Sequence, residues 1–228
     1  MRLECRGVRT AFALVASFFL HAAWSTPFAV QLGDARIGVD TPPGFADVQS
    51  TGSPRLLELA EALTSASNRI ILFALEDIDV RRFTVGDTPE LRRYCLVVTP
   101  RPMEGARVTQ AAFRQLVNDA MREVGTAPPE GADLRAYLDA NGRTRPALIA
   151  ELRRDQDVQS VLQGARAPDP PRGKEAPRYL LSSTTLLLVR GRALNLSLYS
   201  NYDTPADLEW IRTTTLRWVE DIQRLNNR

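Results

Sequence analysis

One block near the C-terminus constrains the fold more than any other: two strands, a tight turn and a helix, with almost no residues between them. Tyr179–Val189 (YLLSSTTLLLV) and Ala193–Tyr199 (ALNLSLY) combine leucine with hydroxyl residues and read as strands. Arg190-Gly191 between them is a tight hairpin turn, so the two strands pair antiparallel. Leu186–Val189 is apolar on both faces, as expected of a central strand, whereas Leu194, Leu196 and Leu198 alternate with Asn195, Ser197 and Tyr199 and leave one polar face. Thr204 caps the following helix, Pro205 opens it, and Asp207 three residues after the cap resembles a capping box. Leu208, Ile211, Trp218, Val219, Ile222 and Leu225 lie on one stripe of that helix, which therefore packs on the sheet.

The upstream segments extend the same pattern. Phe28–Leu32 and Ala35–Val39 read as a hairpin around Gly33-Asp34, and Pro42-Pro43-Gly44 stops the second strand. A helix begins at Pro54 with Ser53 as its cap and Leu56, Leu59, Ala60 and Leu63 on one face. Arg69–Leu75 is a buried strand, Arg81–Val85 extends or pairs with it, and Leu91–Val98 is another strand. A helix capped by Thr109 carries Phe113, Leu116, Val117, Ala120, Met121 and Val124 at helical spacing and ends by Gly125. Leu134–Ala140 is a further helix, Pro146–Arg154 could be helix or coil, and Val158–Leu162 is a strand. Residues 166–177 (RAPDPPRGKEAP) hold four prolines and read as a disordered surface loop. The expected order is β-β-α-β-β-α-α-β-β-β-α. Short links mean antiparallel pairing, so the fold class is α+β, a single domain with helices packed on an antiparallel sheet.

The first 25 residues read as a cleavable signal peptide. Arg2, Arg6 and Arg9 precede an apolar run, Ala11–Ala23, of about 13 residues, the length of a signal core and too short to span a membrane. Ala23 and Ser25 place small residues at the −3 and −1 positions, so cleavage is expected after Ser25, leaving a domain over 26–228 in the periplasm or outside the cell. The leader removes much of the chain's chemistry. It contains the only histidine, His21, and one of the two cysteines, Cys5. It also carries three arginines and one glutamate; taking them from 29 basic and 27 acidic residues leaves 26 of each. A neutral chain has no global field to draw in nucleic acid or anionic lipid, although doublets such as Arg81-Arg82 and Arg92-Arg93 could still bind anions locally. The remaining cysteine, Cys95, lies in an apolar strand and is read as a core thiol, pairing with another chain as the alternative.

The opening hairpin running into Pro43-Gly44-Phe45, with the closing unit of strand, turn at Gly191, strand and helix to Leu225, resembles the PsbP-like α+β sandwich of small exported or lumenal accessory proteins. These segments cover roughly a third of the chain. The resemblance implies a binding or assembly role and assigns no functional residue.

Two clusters remain as candidate sites. Tyr199, Asn201, Tyr202 and Asp203 join the last strand to the last helix, and Trp210 falls off the buried stripe nearby; aromatics with a few polar groups are what ligand sites use. Glu76, Asp77 and Asp79 follow a strand and could hold Ca²⁺ or Mg²⁺ or act as an acid–base pair, or simply face Arg81 and Arg82 as a solvated strand end. Ser182-Ser183-Thr184-Thr185 has no base to activate it, since Lys174 is the only lysine and no Ser-x-x-Lys occurs. No phosphate loop, CxxC, HExxH or dinucleotide fingerprint is present, and no cofactor is expected. The expected function is therefore an exported, non-enzymatic protein that binds an envelope protein or a small ligand. The alternative is a histidine-free hydrolase working through carboxylates, with or without a divalent metal.

Overall fold

The closing hairpin is the spine of the molecule. In the computed structural model, which describes residues 27–168 and 176–227, β8 (Tyr179–Val189) and β9 (Arg192–Asn201) pair antiparallel from Leu180↔Asn201 to Val189↔Arg192. Arg190 and Gly191 make their turn with φ of 48° and 73°, the left-handed pair that matches the twist of a two-residue hairpin. Strands are added on both sides of this pair. β5 (Arg93–Pro100) joins β9, β4 (Asn68–Glu76) joins β5 and β3 (Phe45–Asp47) joins β4; on the other side β7 (Val158–Arg166) joins β8 and β6 (Ala147–Arg154) joins β7. The seven-stranded sheet, ordered β3-β4-β5-β9-β8-β7-β6, is antiparallel throughout. β1 (Phe28–Leu32) and β2 (Ala35–Val39) form a separate two-stranded ladder. The expected α+β class holds.

Strand alternation divides the core into two layers. Leu72 and Ala74 of β4, Cys95 and Val97 of β5, Leu187 and Val189 of β8, and Leu194, Leu196 and Leu198 of β9 face one side, where α5 (Pro205–Asn226) and the β1–β2 hairpin cover them. Ile211, Trp218, Val219 and Ile222 of α5 are 0–1 % exposed there. Fully burying one such side chain contributes roughly 1.5–3 kcal/mol. The intervening residues face the other side. Phe73, Leu75, Leu96 and Val98 lie under α1 (Pro54–Ala62) and α2 (Asp77–Thr84), and Leu186, Leu188 and Ala193 lie under α3 (Gln110–Met121). α4 (Leu134–Asn141) sits over β7, where Gly164 makes room: a Cβ there would meet Leu138 and Ile149 at 2.9 Å.

Two of the four serine and threonine hydroxyls of β8 are spent within the core. Ser183 pairs with Thr215 of α5 at 2.6 Å and Thr185 with Ser160 of β7 at 2.7 Å, and all four are buried. Buried polar groups of this kind need a partner, and each supplies the other's. Trp218 meets the same demand by donating its indole N–H to the Asp40 carbonyl at 2.7 Å.

Three expectations need correction. Residues 81–85 are not a strand: Arg81–Thr84 finish α2, whose Val80 and Phe83 pack toward α1. Its acidic first turn (Asp77, Asp79) and basic last turn (Arg81, Arg82) complement the helix dipole. The segment left open at 146–154 is strand β6, whose alternation is broken by two register shifts, at Leu148/Ala150 and Glu151/Arg153. β3 is an added strand of only three residues. The leader and residues 169–175 of the proline-rich loop lie outside the described residues.

Candidate functional site

Both expected clusters map to one end of the sheet, and Arg93 at the start of β5 joins them. Register places Arg93 opposite Ser200 of β9, on the face covered by α5. From there its guanidinium lies 3.9 Å over the Trp210 ring, donates to Asp207 at 3.0 Å and to Ser200 Oγ at 3.4 Å, and stands 3.7 Å from Glu76. Trp210 is stacked on its other neighbour, Phe45 of β3, with ring centroids 6.2 Å apart. A cation over an indole face is attracted by the ring's negative charge, and an exchange of partners across one arginine ties β3, β4, β5, β9 and α5 together.

The remaining loop residues are mostly occupied by neighbours. Asp203 accepts from Arg92 at 2.5 Å and its carbonyl accepts from Arg135 at 2.6 Å. Arg135 also lies 5.8 Å from the ring of Tyr202, and the Tyr202 backbone N–H donates to the Tyr179 carbonyl. Asn201 ends the β8–β9 ladder and donates its backbone N–H to the Arg92 carbonyl. Tyr199 is not part of this group. It points to the opposite face and stacks on Tyr94 at 4.5 Å, 13° from parallel. Burial, with Tyr199 beside it, pushes the Tyr94 phenol up to about 12.

The acidic cluster also separates. Asp79 is 2 % exposed and accepts the N–H groups of Glu90 and Leu91 on its two oxygens, both at 3.2 Å. It thereby holds Leu91 in the left-handed region at φ 53°, a conformation that costs a non-glycine residue about 1 kcal/mol or more. Asp77 starts α2, and its N–H donates to the Gly44 carbonyl. Glu76 alone turns toward Arg93. Among the described residues no three His, Cys, Asp or Glu side chains are placed to hold a metal ion.

Arg93 influences its two carboxylates differently. Burial pushes Glu76 up, and Arg93 only partly offsets it. Burial also works against ionised Asp207, but the N–H groups of Thr204 and Asp203, with Arg93 and the Thr204 hydroxyl, hold its carboxyl below the ordinary carboxylate value. That Arg93 and Asp207 meet carries no signal in the local sequence. The doublet Arg92-Arg93 and the capping box each mark one of them, but their meeting depends on strand register.

What remains accessible is a rim of mixed charge: Arg92 at 54 % and Asp203 at 58 % side-chain exposure, beside half-buried Trp210 and Tyr202. Such a rim can grip a partner by hydrogen bonds and ring contact. Four of the candidate acid, base or nucleophile groups are engaged internally: Asp79 by amides, Asp207 by its cap and Arg93, Ser183 and Thr185 by hydroxyls.

No family model matches this chain, and no curated protein matches it. Among solved structures, a mutant of protein Mog1 is similar at 13 % identity and a TM-score of 0.36, over 89 % of this chain and 94 % of that one.

Proposed function

We propose that this protein is an exported, non-enzymatic binding or accessory protein of the cell envelope, acting on an envelope protein or a small ligand. The observation that carries the reading is the engagement of several candidate reactive groups: Asp79, Asp207, Ser183 and Thr185 are committed to structural hydrogen bonds. The leader, with its arginines, apolar core and small residues at 23 and 25, supports export. The loss of His21 with the leader and the balance of 26 basic and 26 acidic residues afterwards support binding over catalysis and argue against nucleic acid as partner. The PsbP-like pattern of hairpin and closing unit points the same way. No helix among the described residues is long and apolar enough to cross a membrane. Expression of the full chain in a Gram-negative host, followed by fractionation and N-terminal sequencing, tests the export half. The expected product begins at Thr26 in the periplasmic fraction, and a chain still starting at Met1 overturns it. In-cell crosslinking tests the accessory half: a reproducible envelope partner lost on Arg92→Glu or Asp203→Arg supports it, and recovery of the monomer alone counts against a protein partner.

A further inference from the structure

β8 carries two kinds of hydroxyl. Ser183 and Thr185 are buried on the α5 side and paired. Ser182 and Thr184 point to the opposite face, are half-buried, and make no side-chain hydrogen bond among the described residues. On that face α1 and α2 pack on β4 and β5, and α3 packs on the far end of β8 at Leu186 and Leu188. The stretch about Ser182 stays open to solvent, and Leu180 within it is 44 % exposed.

Strand register fixes what surrounds Ser182. Gln163 of β7 stands opposite it on one side and Tyr199 of β9 on the other, with Tyr94 of β5 beyond Tyr199. Tyr94 and Tyr199 stack 4.5 Å apart and 13° from parallel, so Tyr94 covers one face of the Tyr199 ring and the other is turned toward β8. The neighbour there is a serine, too short to reach across that face. Adjacent strands lie about 4.7–4.9 Å apart, so roughly 9–10 Å separate β9 from β7. A ring in van der Waals contact with Tyr199 takes up about 3.5–4 Å of this and leaves room for the Gln163 amide on its far side. The result is a slot with Ser182 as floor, Tyr199 and Gln163 as walls, and Leu180 and Thr184 at its two ends along β8.

The lining selects among ligands. None of these five side chains is charged, so an ion finds no counter-charge in them. The two hydroxyls, the glutamine amide and the tyrosine phenol can each donate and accept, and none is engaged in a hydrogen bond among the described residues. Such groups around an aromatic face suit a ring with apolar C–H faces and hydroxyls along its edge. We propose that this slot binds a neutral sugar ring, stacked on Tyr199 and hydrogen-bonded by Ser182, Thr184 and Gln163. The proposal rests on the reading of the chain as a binding protein, though neither on its export nor on the Arg92–Asp203 rim. A mature N-terminus at Met1 or a missing protein partner leaves it standing, and absence of sugar binding leaves export and the rim standing.

The probes are maltotriose, cellotriose and the trimer of N-acetylglucosamine, with adenosine as a planar aromatic comparison. Each is titrated into protein purified after expression of the full chain and followed by amide chemical shifts and by the C–H protons of the ligand. At least one trisaccharide is expected to saturate by about 10 mM, as an affinity of roughly 1 mM requires. Its response is expected at residues 161–165, 180–184 and 197–201, with ligand C–H signals moved upfield by the Tyr199 ring. Tyr199→Leu weakens binding about two- to twelvefold, the range for an aromatic contact. Ser182→Val fills the slot from below and weakens it by at least about tenfold; valine is a good strand residue, so this variant is expected to melt with the wild type. No saturable response to any of the three sugars, undiminished binding by Ser182→Val, or tighter binding of adenosine than of every sugar at these residues overturns the proposal.

Discussion

Glu76 and Asp207 share one guanidinium: Arg93 stands 3.7 Å from the first and 3.0 Å from the second. Their carboxyls nevertheless shift in opposite directions, because Asp207 also accepts backbone N–H groups and Glu76 is dominated by burial. The two residues therefore make opposite contributions to stability as pH changes.

For Asp207 the folded value is depressed, so its contribution is present above the ordinary 3.8 and is lost as pH falls through the depressed value. Asp207→Asn is expected to destabilise the domain by about 1–3 kcal/mol at neutral pH through the capping box and the arginine bond. That gap closes in acid. For Glu76 the folded value is raised, so its contribution is present below 4.5 and lost as pH rises through the raised value. Glu76→Gln is expected to gain on the wild type as pH rises from 4.5 toward neutral. Urea titrations across this range decide it; a gap for Asp207→Asn that stays constant down to the acid transition refutes the assignment.

Arg93→Met tests the arginine as the link between strands and helix. Removing the charge leaves Glu76 and Asp207 without their shared cation and uncovers one face of Trp210. The expected result is a stability loss of about 1–3 kcal/mol with a change in tryptophan emission that is absent when Trp210 is replaced by Phe. Arg93→Lys keeps the charge but not the planar fork, and is expected to fall between the two. Unchanged emission in Arg93→Met argues that the ring contact is incidental.

The contrast between what is and is not legible in the sequence follows from the range of the interactions. The closing block is readable because Arg190-Gly191, Thr204, Pro205 and Asp207 act on neighbours within a few residues. The end of α2 reads as a strand because Arg81, Phe83 and Val85 mimic a short alternation, and the helix's own signal, acidic residues before basic ones, spans only eight residues. β6 is obscured by its two register shifts. The Arg93 cluster depends on β5 pairing with both β4 and β9, and nothing local specifies that. Proximity in the chain groups Tyr199 with Trp210, but strand alternation sends Tyr199 to the opposite face.

Asp79 separates a structural carboxylate from a metal ligand. With both oxygens on the amides of Glu90 and Leu91, its loss frees a strained loop. Asp79→Ala is expected to cost about 1–3 kcal/mol and to speed amide exchange over residues 86–92, and Ca²⁺, Mg²⁺ or a chelator is expected to leave the melting temperature of the wild type where it was. A calcium-dependent rise in melting temperature that disappears in Asp79→Ala contradicts this reading.

Asn226 fastens the outer hairpin to the last turn of α5. Its Oδ1 accepts from Gly38 N–H and its Nδ2 donates to the Gly38 carbonyl, both at 2.8 Å, so one side-chain amide stands in for a neighbouring strand. The same Nδ2 also donates to the Ile222 carbonyl, which fixes the rotamer. Gly38 belongs there because a Cβ would come within 3.3 Å of Leu225 Cβ, tight against a helix that has no room to retreat. β1–β2 is not hydrogen-bonded into the main sheet, so it depends on such contacts and on Leu32, Ile37 and Val39 in the core. Asn226→Ala leaves the Gly38 amide and carbonyl facing an apolar helix end, which is expected to cost about 2–4 kcal/mol, or about 2–4 °C of melting temperature per kcal/mol in a domain of this size. Asn226→Asp keeps the acceptor and loses the donor, so it is expected to fall between. Hydrogen exchange at residues 35–39 distinguishes a loosened hairpin from general destabilisation: the hairpin should lose protection before β8 and β9 do, and simultaneous loss in all four strands would show that Asn226 acts on the whole domain.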